Sequence, residues 1–251
     1  AVDGGRGVVL QLFNAPKWVD VPLKAALEQA LGLPVTVGKD DNGAVLHYKW
    51  TRLRNPLANV VGISVADGIG AGILLGGDIY QSRHHLSGEI GHISVNPAGP
   101  LCACGNLGCL ELYASNRGLL QRARDRLNQG EVSALRDCAR PLGLEDLIQT
   151  AREGDCLSRS LFGAAVDALA QSLDQIVKLY DPDEILLACR YLEALPDLFA
   201  HLGDQVFART PLLDRDSLRL DLMSIHDLGV KGAATLPYDR LFGRYETCGL
   251  I

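Results

Sequence analysis

Hydrophobic and polar residues follow two periods along this chain, one typical of strands and the other typical of helices. Short apolar runs predict strands at Val8–Phe13, Pro34–Val37, Asn59–Ala66, Ile73–Leu75, Glu184–Ala188 and Leu218–Met223. Apolar residues at helical spacing predict helices at Pro22–Leu31, Gly43–Leu53, Leu110–Leu127, Leu144–Ala151, Ser158–Tyr180 and Lys231–Phe242. The alternation of strands and crossover helices indicates an α/β protein.

Residues at the ends of these segments predict where some helices begin and end. Asp20 is a candidate N-cap for the first helix, and Gly32 is expected to end it. Asp181 precedes Pro182, and a residue before proline disfavours the helical conformation. The long helix is therefore predicted to stop at Tyr180.

Composition and charge narrow the classes of function. The chain has 251 residues, of which 47% are hydrophobic and 22% are charged, which favours a packed core over disorder. Its net charge of -6 argues against nucleic-acid binding by this chain alone. No apolar run is long enough to span a membrane, and no export signal is evident, so we expect a cytoplasmic protein.

The stretch 88–111 holds the densest candidate chemistry. Its one histidine and three cysteines form a set that suits a closed, tetrahedral structural zinc site: His92, Cys102, Cys104 and Cys109. The alternatives are three unlinked thiols beside a core histidine, or a disulfide. The odd count of seven cysteines argues against the disulfide. Four further cysteines are expected to be plain free thiols: Cys138, Cys156, Cys189 and Cys248.

Two other places carry candidate chemistry that the residues alone leave open. Asp40 follows a predicted strand and precedes a helix, where a carboxylate serves function as often as it caps the helix. The glycines at positions 68, 70 and 72 lie in a predicted hairpin tip. The backbone N–H groups of Gly68, Gly70 and Gly72 could approach a phosphate, but a tight turn without a ligand explains the same pattern.

The stretch 88–111 resembles the signature of the ROK family, a family of repressors, open reading frames and sugar kinases. The match covers Gly-Glu-x-Gly-His, the Cys-x-Cys-Gly-x-x-Gly-Cys knuckle at Cys102–Cys109, and the closing glutamate. The resemblance implies that the histidine and the three cysteines bind zinc. It also implies that Glu89, His92 and Glu111 contact sugar hydroxyls.

The same resemblance implies an actin-like ATPase (ribonuclease H-like) fold with two lobes and a zinc knuckle. The lobes would be residues 1–75 and 76–251. The Asp-x-Gly-Gly-Thr turn that grips ATP in family members is absent, so we expect the first lobe to be incomplete. Asp40 matches the catalytic base of the kinases, while Lys39 replaces an asparagine that bonds the sugar, so Lys39 and Asp40 are both expected at the sugar.

Two departures from the family pattern argue against strong ATP binding. Asp67 replaces a threonine in the phosphate loop, where an anion would repel phosphate, although its carboxylate could instead hold Mg²⁺. Cys189, Arg190 and Tyr191 stand where the kinases have the three glycines that open the nucleotide pocket.

These observations favour a sugar-sensing effector domain of a ROK transcriptional regulator, which binds a sugar or sugar phosphate between its lobes. The alternative is an ATP-dependent sugar kinase with Asp40 as its base, and a third hypothesis is a module that only dimerises. We expect a homodimer or homotetramer that contacts DNA only through an upstream head outside this chain. The identity of the sugar does not follow from the sequence.

Overall fold

The computed structural model describes residues 1–12, 15, 17–138, 141–224 and 228–246. The chain contains both helices and strands, and the predicted α/β class is confirmed as a mixed α/β fold. The chain forms two compact units. The first contains residues 1–63, 71–88 and the described part of 225–251, and the second contains residues 64–70 and 89–224.

The first unit begins with a small antiparallel sheet in the order β1-β2-β3, followed by helix α1 at Leu23–Leu31. The strands are β1 at Val2–Asp3, β2 at Val8–Gln11 and β3 at Val19–Val21. The end of the strand predicted at Val8–Phe13 lies outside the described residues. The prediction that Asp20 caps α1 is wrong, because Asp20 lies in β3 with φ 50° and Pro22 holds the N-cap position.

The strand predicted at Pro34–Val37 is also wrong. This segment forms no strand with any part of the chain that the structure describes. A strand exists only through hydrogen bonds to a neighbour, and an apolar run does not supply that neighbour. The chain then enters α2 at Asp40–Arg52, three residues earlier than predicted. Asp40 and Asp41 in its first turn complement the helix dipole.

Helix α2 packs closely on α9, which spans Leu228–Glu246 in the same unit. The contact depends on two glycines, because a Cβ on Gly43 would lie 2.9 Å from the carbonyl carbon of Gly232. Farther along, the indole N–H of Trp50 donates to Asp239 at 3.0 Å. The predicted last helix is therefore confirmed, and its small residues mark the helix crossing.

The region predicted to form a hairpin contains three strands. They are β4 at Val60–Val65, β5 at Ile69–Leu75 and β6 at Asp78–Ile79. Strands β5 and β6 are antiparallel, with Leu74 opposite Ile79. Most residues of β4 and β5 are buried, which explains why these runs are apolar without alternation.

The second unit is mainly helical around a parallel strand pair. Its elements are α3 at Glu111–Ala114, α4 at Asn116–Asn128, α5 at Leu144–Arg152, α6 at Cys156–Tyr180, β7 at Glu184–Cys189, α7 at Arg190–Ala194, α8 at Pro196–Arg209 and β8 at Arg219–Leu222. Strands β7 and β8 are parallel, with Ile185 beside Leu220. Helix α6 carries thirteen buried residues and forms much of the core of this unit.

One predicted helix, Leu110–Leu127, is divided in two. Ser115 adopts an extended conformation, and its hydroxyl accepts a hydrogen bond from the Gly118 amide at 3.0 Å. It therefore caps α4 instead of continuing α3. The predicted end of α6 is confirmed, since Asp181 takes a left-handed conformation with φ 42°.

Among the described residues, Cys138, Cys156 and Cys189 form no disulfide, while Cys248 lies outside them. None of the described helices combines the length and the apolar character that crossing a membrane requires.

Candidate functional site

The second unit brings the four predicted zinc ligands together. His92 ends a short 3-10 helix at Ile90–His92, and the three cysteines come from the loop that follows. One ligand atom from each residue lies within 4.8 Å of all the others. The His92 Nδ1 is 3.7 Å from Cys102 Sγ, and Cys104 Sγ is 3.6 Å from Cys109 Sγ.

Glycine conformations and backbone hydrogen bonds fold the knuckle. Gly105 and Gly108 have φ 90° and 60°, as the sequence predicts for this turn. A Cβ on Gly108 would lie 1.7 Å from the Asn96 carbonyl oxygen, so no side chain fits there. The Cys102 amide donates to the Asn106 carbonyl at 2.8 Å, and this bond closes the loop between the cysteines.

The donor set fits zinc in both chemistry and spacing. Two sulfurs each about 2.3 Å from a tetrahedral zinc lie about 3.8 Å apart, close to the spacing of Cys104 and Cys109. Burial raises the pKa of Cys109 to about 12 and also raises the pKa of Cys102. A nearby cation would favour the thiolate forms that burial disfavours. The arrangement can therefore hold a metal ion, and its four ligands would leave no position for catalysis at the metal.

Two predicted sugar-binding carboxylates belong to the same unit as His92. Glu89 immediately precedes the 3-10 helix and is half-buried. Glu111 begins α3, and its Oε2 accepts a hydrogen bond from the Ile69 amide at 3.3 Å. This bond fixes one carboxylate oxygen of Glu111 and leaves Oε1 able to accept from a hydroxyl.

Lys39 and Asp40 belong to the first unit, at the start of α2. The Lys39 ammonium lies 3.5 Å from Asp41 Oδ2 and donates to the Ser87 carbonyl oxygen at 3.4 Å. Asp40 is exposed, and its Oδ1 accepts from the Asp41 amide at 3.1 Å. Sequence reasoning did not identify Asp41 as a partner of Lys39. The two adjacent aspartates in the first turn of α2, Asp40 and Asp41, were the feature of the sequence that could have indicated this ion pair.

The candidate phosphate loop is divided between the two units. Asp67 is exposed at the bend between β4 and β5, and Gly68 and Gly70 follow it in the second unit. Gly72 lies in the first unit, where a Cβ would be 2.3 Å from the Asp41 carbonyl oxygen. Close packing of α2 on β5 therefore accounts for Gly72 without any ligand.

Buried side chains fill the junction at which β7 ends and α7 begins, which we call the turn after β7. Cys189 and Tyr191 are both 0% exposed, and the Tyr191 hydroxyl donates to the Ala114 carbonyl oxygen at 3.1 Å. Burial raises the pKa of Tyr191 well above its ordinary value, so the phenol stays protonated and remains a donor. Between them, Arg190 forms a two-pronged ion pair with Glu145, at 2.9 and 3.1 Å. Glu145 is a partner that sequence reasoning did not identify.

Comparisons with known proteins find both regulators and kinases. The ROK family profile matches residues 1–209. A putative xylose repressor of Caldicellulosiruptor sp. is 29% identical over 90% of this chain and 57% of its own length. The glucokinase of Thermotoga maritima is 28% identical over 97% of this chain and 78% of its own length.

A solved structure agrees with these matches. The crystal structure of a ROK family transcriptional regulator, a homologue of the E. coli Mlc protein, superimposes with a TM-score of 0.83. It is 30% identical, over 96% of this chain and 60% of that one. The chain thus spans less than two thirds of the length of the two regulators compared, and the fold agrees with the resemblance seen in the sequence.

Proposed function

The chain belongs to the ROK family, and we propose that it is the sugar-binding effector part of a transcriptional regulator of that family. Similarity to a xylose repressor and to an Mlc homologue supports this proposal. The buried side chains of Cys189 and Tyr191 also support it, because the resemblance places the nucleotide pocket of the kinases there. The relatives also include a glucokinase, so the proposal depends on residues in which this chain departs from the kinases.

The turn after β7 is the observation that carries the proposal. In the kinases that the sequence resembles, three glycines stand where this chain has Cys189, Arg190 and Tyr191. Moving Tyr191 aside to admit a nucleotide would break its hydrogen bond to Ala114 and leave a buried cavity. Such a change costs about 3–5 kcal/mol for a large aromatic side chain, which weak nucleotide contacts would not offset.

The proposed sugar contacts are hydrogen bonds between hydroxyls and a few polar side chains. Glu89 and the Oε1 of Glu111 would accept from hydroxyls, and one imidazole nitrogen of His92 would remain for the sugar when the other binds metal. Lys39 and Asp40 are proposed to act from the first unit. Bound zinc would cross-link the knuckle and fix the orientation of the His92 ring.

The test is calorimetric titration of the native protein with ATP–Mg²⁺ and, separately, with hexoses, N-acetylhexosamines and sugar phosphates. We expect a sugar to bind and ATP to give no measurable heat. Arg190→Ala removes the partly exposed side chain of the turn and breaks its ion pair with Glu145. Glu145→Ala breaks the same ion pair but keeps the arginine. Neither variant should gain ATP binding, because Cys189 and Tyr191 still fill the turn. Tight ATP binding by the native protein would contradict the proposal.

The second candidate is an ATP-dependent sugar kinase with Asp40 as general base. Its support is the exposure of Asp40 at the first residue of α2, where its carboxylate could take a proton from a sugar hydroxyl. Sugar-dependent release of ADP would establish this activity instead if Asp40→Asn abolished it and Asp78→Asn, at the exposed first residue of β6, kept it.

We also propose that the knuckle holds one structural zinc. Metal analysis should find about one zinc per chain, and Cys104→Ser should lose it because a tetrahedral site needs all four ligands. The matched control is Cys156→Ser, at an exposed thiol outside the cluster, which should keep the metal. Native protein whose thermal stability is unchanged after zinc is removed would disprove a structural role.

We also propose two kinds of partner besides the sugar, which are DNA and further copies of this chain. The net charge of -6 disfavours DNA contact through these residues, so we propose that any DNA-binding head lies outside them. Assembly as a homodimer or homotetramer is proposed from the family resemblance, and sedimentation of the native protein would test it.

A further inference from the structure

A groove between α2 and α9 has no role in the proposed function. It lies within the first unit and has a volume of about 290 Å³. Its walls come from both helices: His47, Trp50 and Thr51 of α2 with Lys231, Ala234 and Tyr238 of α9. We call this surface the basic groove.

Aromatic rings form the apolar wall of the basic groove. The rings of Trp50 and Tyr238 meet edge to face with centroids 4.8 Å apart, and Phe242 continues the row at 4.6 Å from Tyr238. Tyr238 is 47% exposed and Phe242 is 43% exposed. The exposed side chain of Leu241 lies beside them on α9. Partly exposed aromatic rings that are held rigidly in a row are typical anchors for a partner.

Among the described lining residues of the basic groove, Lys231 carries the full charge. The neighbouring carboxylate of Asp239 accepts a hydrogen bond from the Trp50 indole and lies 3.7 Å from the Lys49 ammonium. Lys231 and His47 line it, and Arg52 lies one residue beyond Thr51. Burial, followed by Lys231 and Arg52, lowers the pKa of His47, which agrees with a local positive potential. Within the part of the chain that the structure describes, Lys231 and Arg52 form no ion pair. The sign of these two charges is opposite to the net charge of the chain, which is -6.

We propose that the basic groove binds an acidic amphipathic segment of a partner protein. An apolar side chain of that segment would enter between Trp50 and Tyr238, and its carboxylates would lie beside Lys231 and Arg52. Charge complementarity selects this occupant. DNA is a poorer fit, because duplex binding needs many phosphate contacts and this surface offers two or three cations.

Trp50 provides a direct readout. The chain has two tryptophans, so Trp18→Phe leaves Trp50 as the only indole. The probe is a synthetic 18-residue amphipathic helix with leucine and phenylalanine on one face and glutamate on the other. Two comparison peptides replace its glutamates by lysines or its apolar residues by serines. The acidic amphipathic peptide should change the Trp50 emission, and both comparison peptides should bind at least about tenfold more weakly.

Charge reversal locates the binding. Lys231→Glu and, independently, Arg52→Glu should each weaken the acidic peptide about tenfold, because each removes one attraction and adds one repulsion. Lys178→Glu makes the same change on α6 in the other unit and should leave the affinity unchanged. Circular dichroism checks that each variant is folded.

Three results would overturn the proposal. The basic peptide could bind as well as the acidic one, or Lys178→Glu could weaken binding as much as Lys231→Glu. A DNA duplex could compete for the groove more strongly than the peptide. Self-association that buries Trp50 in the absence of peptide, detected by sedimentation, would instead assign the groove to a second copy of the chain.

Discussion

At the scale of single residues, Tyr191 has the greatest effect on the proposed function. Its ring is fully buried beside Phe162, with centroids 5.2 Å apart, and its hydroxyl is bonded to a backbone carbonyl 77 residues earlier. These contacts hold the turn after β7 in one conformation. The same side chain therefore closes the turn and stabilises the second unit.

Tyr191→Phe should lower the free energy of unfolding by about 1–3 kcal/mol, because the Ala114 carbonyl oxygen loses its buried donor. Chemical denaturation followed by circular dichroism measures the change. Tyr238→Phe removes a hydroxyl from a ring that is 47% exposed and serves as the control, with an expected loss below about 0.5 kcal/mol. Equal effects of the two variants would contradict a structural role for the Tyr191 hydroxyl.

Asp155 illustrates a charge that stabilises a helix start. Burial alone would raise its pKa, but hydrogen bonds from the Ser158 and Ala134 amides and the Ser133 hydroxyl lower it below the ordinary value. A lowered pKa in the folded state adds stability that is complete above about pH 4, the unfolded value. This stability is lost as the pH falls through the folded-state pKa.

Asp155→Asn should therefore destabilise the protein at pH 7 and have a progressively smaller effect below about pH 4. Denaturant midpoints at a series of pH values measure the difference between the native protein and the variant. Asp137→Asn, at a C-terminal position of a 3-10 turn, is the comparison. If the difference in midpoint between the native protein and Asp155→Asn stayed constant down to pH 2.5, the charge of the Asp155 carboxylate would not contribute to stability.

At the scale of elements, the knuckle is organised by its glycines as much as by its cysteines. Gly105 and Gly108 both have positive φ, but only Gly108 is closed in by other atoms. No atom lies within 4 Å of a Cβ built on Gly105. A side chain at Gly105 would therefore introduce backbone strain alone, whereas a side chain at Gly108 would introduce both backbone strain and a steric clash.

Gly105→Ala should cost about 1 kcal/mol from strain alone and keep bound zinc. Gly108→Ala should cost more than about 3 kcal/mol and lower the zinc content, because Asn96 cannot move without opening the loop. Metal analysis and thermal unfolding of both variants provide the measurement. If Gly108→Ala retained zinc and native stability, the loop would be less constrained than its geometry indicates.

At the scale of the whole molecule, the proposed zinc would contribute to the stability of the fold. A ligand that binds only the folded state stabilises it by mass action. Removing zinc from the native protein with a chelator should lower the melting temperature by at least about 5 °C. The same chelator should not change the melting temperature of Cys104→Ser, which lacks the site. An equal shift in both proteins would mean that the chelator acts elsewhere.

Much of this protein follows from its sequence alone. The helices at 144–152 and 156–180 and the buried strands at 60–65 and 184–189 follow from hydrophobic period, because each pattern matches one local geometry. The cluster of one histidine and three cysteines that could hold a metal ion follows from residue type and short spacing, since glycines allow the loop between the cysteines to fold back. Family membership follows from the same stretch.

Tertiary structure decided what depends on distant neighbours. The segment 34–37 has the composition of a strand but lacks a partner among the described residues, and the Lys39 ammonium contacts Asp41 and the Ser87 carbonyl oxygen, which is 48 residues away. Arg190 and Tyr191 find partners 45 and 77 residues away. The sequence encodes local periods and ligand types directly, whereas a hydrogen bond or a filled cavity exists only once the chain has brought both sides together.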